Sequence, residues 1–134
     1  NHAQKSELLG NAAATLFAIT WREPFGLVMI ESMACGTPVI GMNMGSVPEV
    51  VAHGVSGMVC DTYEEMASVM PQVLELDRRK CREHVQNNFS VTQMVDGYEA
   101  IYEKIVRERT ETRWYMQALR ASLESITGLG SRRL

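Results

Sequence analysis

The chain has 134 residues, of which 46% are hydrophobic and 22% are charged, a composition typical of a single folded domain. Its net charge of −3 offers no electrostatic reason to bind nucleic acid or an anionic membrane, and no apolar run approaches the roughly 20 residues of a membrane span. Three cysteines, Cys35, Cys60 and Cys81, lack metal-ligand spacing, so we expect reduced thiols in a cytoplasmic protein.

The first two predicted elements are a helix and a strand. Apolar residues recurring over positions 3–13 favour a helix, and the apolar run from Ala14 to Ile19 favours a buried strand. A doubly wound nucleotide-binding domain normally has strands before such a helix. We therefore expect the chain to begin partway through a domain of this kind. The strand should then have an uncovered edge or a partner strand from another chain.

The stretch after this strand contains the pattern on which the functional prediction depends. Pro24 and Gly26 predict a tight turn, a helix is expected to begin near Leu27, and Gly36 is placed to end that helix in a left-handed conformation. Apolar residues cover most of the helix circumference, which predicts burial nearly all round. Glu31 falls inside an apolar stripe of this helix, and a carboxylate there needs a partner.

Two interpretations of Glu31 follow from the residues. In the first, Glu31 has a structural role, either as an acid that complements the helix dipole or as part of a core ion pair. In the second, Glu31 binds a ligand. The ligand interpretation is favoured because Glu23 stands eight residues earlier, at the mouth of the same turn. Two carboxylates would then flank the free N–H groups of the helix start. Amides bind phosphate and carboxylates bind hydroxyls, so this arrangement suits a polyhydroxylated anion.

Two further strands are expected at 39–42 and 58–60. A helical crossover precedes each of them, so all three strands should be parallel and adjacent. Such folds place ligands at the carboxyl ends of parallel strands, which brings residues 20–26 and 43–46 to one rim. Ser46 is predicted to cap a short helix that follows the second of these loops.

The second half of the chain is predicted to be helical. Apolar residues from Met66 to Leu76 form a helical face that Pro71 kinks or breaks, and a further helix begins near 89–90. Residues 107–134 are charged and partly amphipathic, which predicts a helical extension or a flexible tail. Charges of mixed sign over 77–84 indicate a solvated face and no role in nucleic-acid binding.

Three linked motifs resemble those of a known enzyme family. They are Glu23-Pro24-Phe25-Gly26 with Glu31, then Ala34-Cys35-Gly36-Thr37-Pro38-Val39-Ile40, then Gly45-Ser46-Val47-Pro48-Glu49-Val50-Val51. Their order and spacing are similar to those in the C-terminal donor-binding domain of retaining, nucleotide-sugar-dependent glycosyltransferases of family 4, which have the GT-B fold. The resemblance runs from about Lys5 to Val106. Where the family usually has two glycines before Pro-Glu, this chain has Gly45-Ser46.

The resemblance implies an α/β fold. We expect a partial Rossmann-like, doubly wound parallel sheet of about three strands with flanking helices, equivalent to the C-terminal half of a GT-B donor domain. Residues 1–106 would be this partial nucleotide-sugar-binding domain. The parent protein would be a hexosyltransferase that moves a sugar from a nucleotide-diphosphate sugar to an acceptor with retention. Its acceptor domain would precede residue 1, so this chain should be inactive alone, and its open sheet edge predicts a homo-oligomer.

The resemblance also implies roles for individual residues. Glu23 would hold hydroxyls of the donor sugar and is the predicted catalytic residue, and Glu31 would accept hydrogen bonds from the ribose. The sugar and diphosphate would also meet backbone amides around the helix start, at Phe25, Gly26, Leu27 and Val28. No metal or other cofactor is expected, because basic side chains and helix starts neutralise the leaving diphosphate in this family.

Two alternatives stay open. The first is a non-catalytic nucleotide-sugar-binding or structural module that keeps the donor-domain fold. The second is a sugar-nucleotide epimerase or phosphorylase of related two-domain architecture. The pair Glu23 and Glu31 favours the transferase over the epimerase, whereas the short length favours a non-catalytic module as the description of this chain itself.

Overall fold

A computed structural model of the chain describes residues 1–127, with side chains described through residue 123. The chain divides into two compact units, one from Asn1 to Gln93 and one that begins at Met94. The described elements, in chain order, are α1 (His2–Asn11), β1 (Thr15–Phe17), α2 (Leu27–Ala34), β2 (Val39–Met42), α3 (Val47–Val50), β3 (Gly57–Cys60), α4 (Tyr63–Ser68), α5 (Met70–Leu74), α6 (Arg78–Asn88) and α7 (Val91–Thr127).

The three strands form one parallel sheet in the order β1-β2-β3. Thr15 lies opposite Val39 in the first pair, and Val39 lies opposite Gly57 in the second. A helix connects each strand to the next, α2 in the first crossover and α3 in the second, as parallel pairing requires. The prediction of an α/β fold with three adjacent parallel strands is therefore confirmed.

The central strand β2 is buried on both of its faces. Val39 belongs to an apolar cluster formed with residues of α2 and α6, and the next residue, Ile40, belongs to a second cluster formed with α4 and α5. Neither side chain has any exposed surface. Full burial of one such side chain stabilises a fold by roughly 1.5–3 kcal/mol. The helices on both faces make β2 the core of the first unit.

Strand β1 is shorter and less buried than the sequence predicted. Buried Phe17 and Ile19 alternate with exposed Leu16 and Ala18. The prediction of a buried strand is wrong for one face, because Leu16 and Ala18 border an open groove beside α4 and α5. Within the described part of the chain, no strand pairs with the outer edge of β1. Pairing of this edge with a second copy of the chain stays a prediction.

Helix α2 begins and ends where the sequence predicted. Gly26 precedes it and Gly36 follows it, and both adopt the left-handed conformation with φ of +77°. Two residues after Gly36 comes Pro38, which prevents the helix from resuming. Glycine is the residue that adopts this conformation without steric cost, so both helix boundaries are determined locally.

The burial of α2 differs from the prediction. Its buried residues are confined to one face: Met29, Ser32 and Met33. Leu27 is 65% exposed and Val28 is 39% exposed, so the prediction of a helix buried nearly all round is wrong. The helix packs through one face against the sheet and α6, and Leu27 and Val28 at its start lie outside that contact.

A polar clasp holds the C-terminal end of α1. The guanidinium of Arg78 donates to the carbonyl oxygens of Gly10 and Ala12, at 2.8 Å each, and to the hydroxyl of Thr37 at 2.6 Å. Thr37 Oγ1 in turn donates to the carbonyl of Leu9 at 2.6 Å. The bonds from Arg78 satisfy two carbonyls at the end of α1, and the carbonyl of Leu9 also accepts from the N–H of Ala12 at 3.2 Å. Because α1 contains no buried residue, the clasp anchors its C-terminal end, a role that the predicted solvated face did not include.

The later helices follow the predicted pattern in part. Pro71 lies at the start of α5, and α4 ends at Ser68, so the predicted break is confirmed. Met66 and Val73 are buried as part of the expected apolar face, whereas Leu74 is 58% exposed.

Helix α7 continues through position 106, where the sequence predicted a domain boundary. In the second unit, the rings of Tyr98 and Tyr102 stack with centroids 6.2 Å apart. Residues 128–134 of the predicted tail lie outside the described residues. Among the described helices, none combines the length and the apolar content that a membrane crossing requires.

All three cysteines are free thiols. Cys81 on α6 has no exposed surface, and its Sγ lies 3.6 Å from the carbonyl oxygen of Ser56. Burial raises the pKa of this thiol from 9.0 to about 11, and the positive charge of Arg78 opposes the increase only in part.

We expect Cys81 to make the fold sensitive to alkali. Its pKa is higher in the folded than in the unfolded state, so its contribution to stability is complete below pH 9.0 and is lost as the pH rises toward about 11. The free energy of unfolding of the native chain should fall more steeply across this range than that of Cys81→Ala. Denaturant titrations at several pH values measure the slopes. Cys35→Ala controls for the titration of lysines and tyrosines, and a slope in Cys81→Ala as steep as the native one would contradict the expectation.

Candidate functional site

Loops that follow the three strands meet at the carboxyl edge of the sheet. The side-chain amide of Asn43, after β2, donates to the carboxylate of Asp61, after β3, at 2.8 Å. The backbone N–H of Ser46, also after β2, donates to the carbonyl oxygen of Glu23, after β1, at 2.9 Å. Parallel strands end at the same edge, so residues that are distant in the sequence form one rim there. The structure thus brings together loops 20–26 and 43–46, as the sequence predicted.

Gly45 allows the second loop to pack directly on the first. A Cβ at this position would lie 2.5 Å from the carbonyl oxygen of Glu23 and 2.7 Å from its nitrogen. Side-chain carbons do not approach other atoms this closely, and backbone atoms cannot move aside as a flexible side chain can. Gly45 also adopts a left-handed φ of +57°. The position of Glu23 therefore depends on glycine at position 45.

The carboxylate of Glu23 is bound within its own loop. Oε1 accepts a hydrogen bond from the N–H of Gly26 at 3.2 Å, and Oε2 accepts one from the indole N–H of Trp21 at 3.1 Å. Each carboxylate oxygen can accept two hydrogen bonds, so both oxygens keep acceptor capacity. The loop orients this carboxylate while leaving it able to accept bonds from hydroxyl groups.

Backbone donors are free at the start of α2. Gly26 occupies the N-cap position, and its carbonyl accepts from the N–H of Met29 at 3.0 Å. The N–H groups of Leu27 and Val28 have no acceptor in the described part of the chain, and both residues are exposed. Free amides and the positive end of the helix dipole together suit a bound anion.

Glu31 lies in the second turn of α2. The first turn of this helix contains no acidic residue, and the dipole effect fades beyond that turn, so Glu31 is not an acid that complements the dipole. Its Oε1 accepts from the ammonium group of Lys5 on α1. The Lys5 and Glu31 side chains are 44% and 35% exposed, so this is not a core ion pair. Among the described residues, the other oxygen of Glu31 has no partner.

Phe25 connects the turn before α2 to the end of α6. Its ring packs edge-on against Phe89 with centroids 6.5 Å apart, and Phe89 packs in the same way against His84 at 5.6 Å. Nε2 of His84 lies 3.0 Å from the carbonyl oxygen of Val50 in α3. Phe25 is still 47% exposed, so part of its ring is available to a ligand.

Ser46 does not cap α3 through its side chain. Its φ of −80° and ψ of −8° are helical, whereas a capping serine normally has an extended backbone that directs its oxygen toward the helix start. Ser46 Oγ is buried and has no hydrogen-bond partner in the described part of the chain. The N–H of Ser46, and not its hydroxyl, is the group that binds the neighbouring loop.

The predicted site residues occupy one loop and the helix that follows it, with Glu31 one turn beyond the others. The contacts that hold them were not predicted from the sequence: Lys5 to Glu31, Trp21 to Glu23, and Gly45 against Glu23. Trp21 is two residues from Glu23 and could have been found from local spacing. Lys5 is 26 residues from Glu31, so no local pattern connects them. Among residues 1–123, no three His, Cys, Asp or Glu side chains are grouped to hold a metal ion.

Comparison with known proteins gives a family match and close relatives. The family of glycosyl transferases group 1 matches residues 1–90. The chain is 37% identical over 111 residues to N-acetyl-alpha-D-glucosaminyl L-malate synthase of Bacillus anthracis, covering 77% of this chain and 29% of that protein. It is 36% identical over 114 residues to D-inositol 3-phosphate glycosyltransferase of Mycolicibacterium smegmatis, covering 78% of this chain and 26% of that protein. The chain spans less than a third of the length of these relatives.

The fold is also similar to a solved structure. Superposition on Anabaena HepE in complex with UDP gives a TM-score of 0.58 at 22% sequence identity. The match covers 73% of this chain and 29% of that one. At this level of identity the likeness supports the fold.

We expect Gly45→Ala to displace the loop that carries Glu23. Gly54 is a matched control, because its φ of +77° is also left-handed but nothing lies within 4 Å of a Cβ built there. Gly54→Ala should lower the free energy of unfolding only by the backbone strain, roughly 1–2 kcal/mol. Gly45→Ala adds the collision with Glu23, so its loss in free energy of unfolding should be larger by about 1 kcal/mol or more. Denaturant titration measures both losses, and equal losses would show that the close approach has no energetic role.

Proposed function

This chain belongs to the family of glycosyl transferases group 1, and on that premise we propose that it is the donor-binding portion of a glycosyltransferase with the GT-B fold. The parent enzyme is of the hexosyltransferase type and transfers a sugar from a nucleotide-diphosphate sugar to an acceptor with retention. An N-terminal domain of the parent binds the acceptor, and this chain alone does not catalyse transfer. We place the enzyme in the cytoplasm, where free thiols are usual.

The free amides at the start of α2 are the observation that carries this proposal. The N–H groups of Leu27 and Val28 have no acceptor among the described residues, and no side chain covers them from a capping position. A diphosphate would accept these bonds and be stabilised by the helix dipole. The amide of Phe25 belongs to the same turn and would meet the sugar end of the donor, whereas the N–H of Gly26 already donates to the carboxylate of Glu23.

The two carboxylates supply the hydroxyl contacts. Leu27 and Glu31 are four residues apart and share one side of α2, and the rise from Gly26 to Glu31 is about 7.5 Å. A nucleotide lying along this side would have its diphosphate at the helix start and its ribose near the unpaired oxygen of Glu31. Glu23, at the turn before the helix, would accept bonds from hydroxyls of the donor sugar.

The same geometry would assist the reaction. Cleavage of the bond between sugar and phosphate leaves negative charge on the departing diphosphate, and donors already directed at that charge stabilise it without rearrangement. The amides at the start of α2 would act in this way. Glu23 is the proposed catalytic residue, since it contacts the sugar that is transferred. We assign no metal or other cofactor to the reaction.

One observation favours a second candidate function. The ion pair between Glu31 and Lys5 is also what a purely structural role for Glu31 would produce, as in a non-catalytic module that retains the fold. In that case Glu31 would contribute to stability and not to ligand binding. Substitution of Glu31 separates the two functions.

We expect Glu31→Gln to weaken nucleotide binding while the fold survives. Loss of hydrogen bonds to a charged group costs roughly 1–3 kcal/mol, and the glutamine keeps the shape of the side chain. Calorimetric titration of the chain with UDP, GDP and ADP measures this loss. Glu83→Gln on α6 is the control, since it removes the same charge from an exposed position outside the site. A lower melting temperature with unchanged affinity would instead assign Glu31 to the structural module.

We expect Glu23→Ala to depress sugar transfer by the parent enzyme more than nucleotide binding, because its proposed contact is to the sugar. Steady-state kinetics with the sugar nucleotide, together with titration by the free nucleotide, give the two losses. Glu23→Gln keeps an oxygen that can accept from the N–H of Gly26 and so controls for the shape of the loop. Equal losses for the free nucleotide and the sugar nucleotide would limit Glu23 to holding the loop.

A further inference from the structure

Lys5 and Glu31 connect two helices that are otherwise held by different contacts. Lys5 lies in the first half of α1, 26 residues before Glu31 on α2. Its ammonium group donates to one oxygen of the carboxylate, and the other oxygen has no partner in the described part of the chain. One oxygen of the Glu31 carboxylate is therefore paired, and the other is available to a ligand.

The position of Lys5 is determined by contacts at the far end of α1. This helix contains no buried residue, so apolar packing does not locate it. Arg78 holds the carbonyl oxygens of Gly10 and Ala12 instead, and Thr37 holds that of Leu9. The helix is rigid over this short distance, so a clasp at its C-terminal end also determines where Lys5 lies.

We propose that Lys5 is a positioning residue that orients Glu31 for a ribose. This inference rests on the proposed function of Glu31. The ammonium group occupies one oxygen and restricts the rotamers of Glu31, so the free oxygen and the remaining lone pairs are held ready for hydroxyl donors. Ordering a side chain before the ligand arrives reduces the entropy that binding must remove. Lys5 itself does not need to touch the nucleotide.

The exposure of both side chains distinguishes this role from that of a stabilising ion pair. Both side chains are more than a third exposed, and ion pairs of this kind contribute little to folding stability. Removal of Lys5 should leave the melting temperature nearly unchanged. Its effect should instead be confined to the part of the ligand that Glu31 contacts.

The test is the preference for a ribose over a 2′-deoxyribose. The chain is titrated by calorimetry with UDP, GDP and ADP and with the 2′-deoxy form of each, and the ratio of the two Kd values is taken for the base that binds most tightly. We expect a ratio of about ten or more for the native chain, since a hydrogen bond to a charged group is lost. In Lys5→Met the ratio should fall about threefold or more, toward that of Glu31→Gln.

Three further variants make the result specific. Lys5→Arg keeps the positive charge and should restore the ratio. Lys80→Met removes an exposed lysine of α6 that has no ion-pair partner among the described residues, and it should leave the ratio unchanged. The double variant Lys5→Met with Glu31→Gln should have the ratio of Glu31→Gln alone, because Lys5 acts through Glu31.

The outcomes separate this inference from the proposed function. An undiminished ratio in Lys5→Met, with a native chain that prefers the ribose form, would overturn the role of Lys5 and leave the proposed function standing. Equal weakening of both nucleotide forms would overturn it as well, since that is the result of a general structural disturbance. A native chain that binds none of the three nucleotides would overturn the proposed function and the inference with it.

Discussion

Parallel pairing on both sides of β2 is the constraint on which the rest of the structure depends. A parallel sheet requires a crossover between successive strands, so α2 and α3 must return across the sheet before the next strand begins. Helices then cover both faces, and Val39 and Ile40 are buried on opposite sides. The same pairing brings the carboxyl ends of all three strands to one edge. The candidate site at that edge is therefore a consequence of how the core is built.

Polar and backbone contacts, more than apolar packing, determine the fine geometry of this edge. Gly45 lets one loop lie against the backbone of Glu23, and the bonds from Trp21 and Gly26 orient its carboxylate. On α1, which contains no buried residue, the hydrogen bonds of the Arg78 clasp hold the C-terminal end of the helix in the same way. Hydrogen bonds depend steeply on distance and angle, so such contacts define positions more narrowly than apolar contacts do. A ligand-binding site benefits from this precision, because a preorganised site loses less entropy when the ligand binds.

The sequence by itself determined the elements whose signals are local. Gly26, Gly36 and Pro38 set the boundaries of α2, since each restricts the backbone in a way that does not depend on distant residues. The apolar runs and the helical crossovers between them were enough to predict three parallel strands in order. The linked motifs from Glu23 to Val51 pointed to the glycosyltransferase family, which the match over residues 1–90 confirmed.

Only the tertiary structure decided which residues meet across long stretches of chain. It paired Glu31 with Lys5, joined Arg78 to the end of α1, and left Leu27 exposed at the start of a helix whose composition predicted burial. Periodicity shows which residues share a side of a helix, but it does not show what covers that side. Nor does it predict ion pairs between distant residues, because their formation depends on how separate elements are placed by the core. For this reason the sequence located the candidate site, and the fold determined its internal contacts.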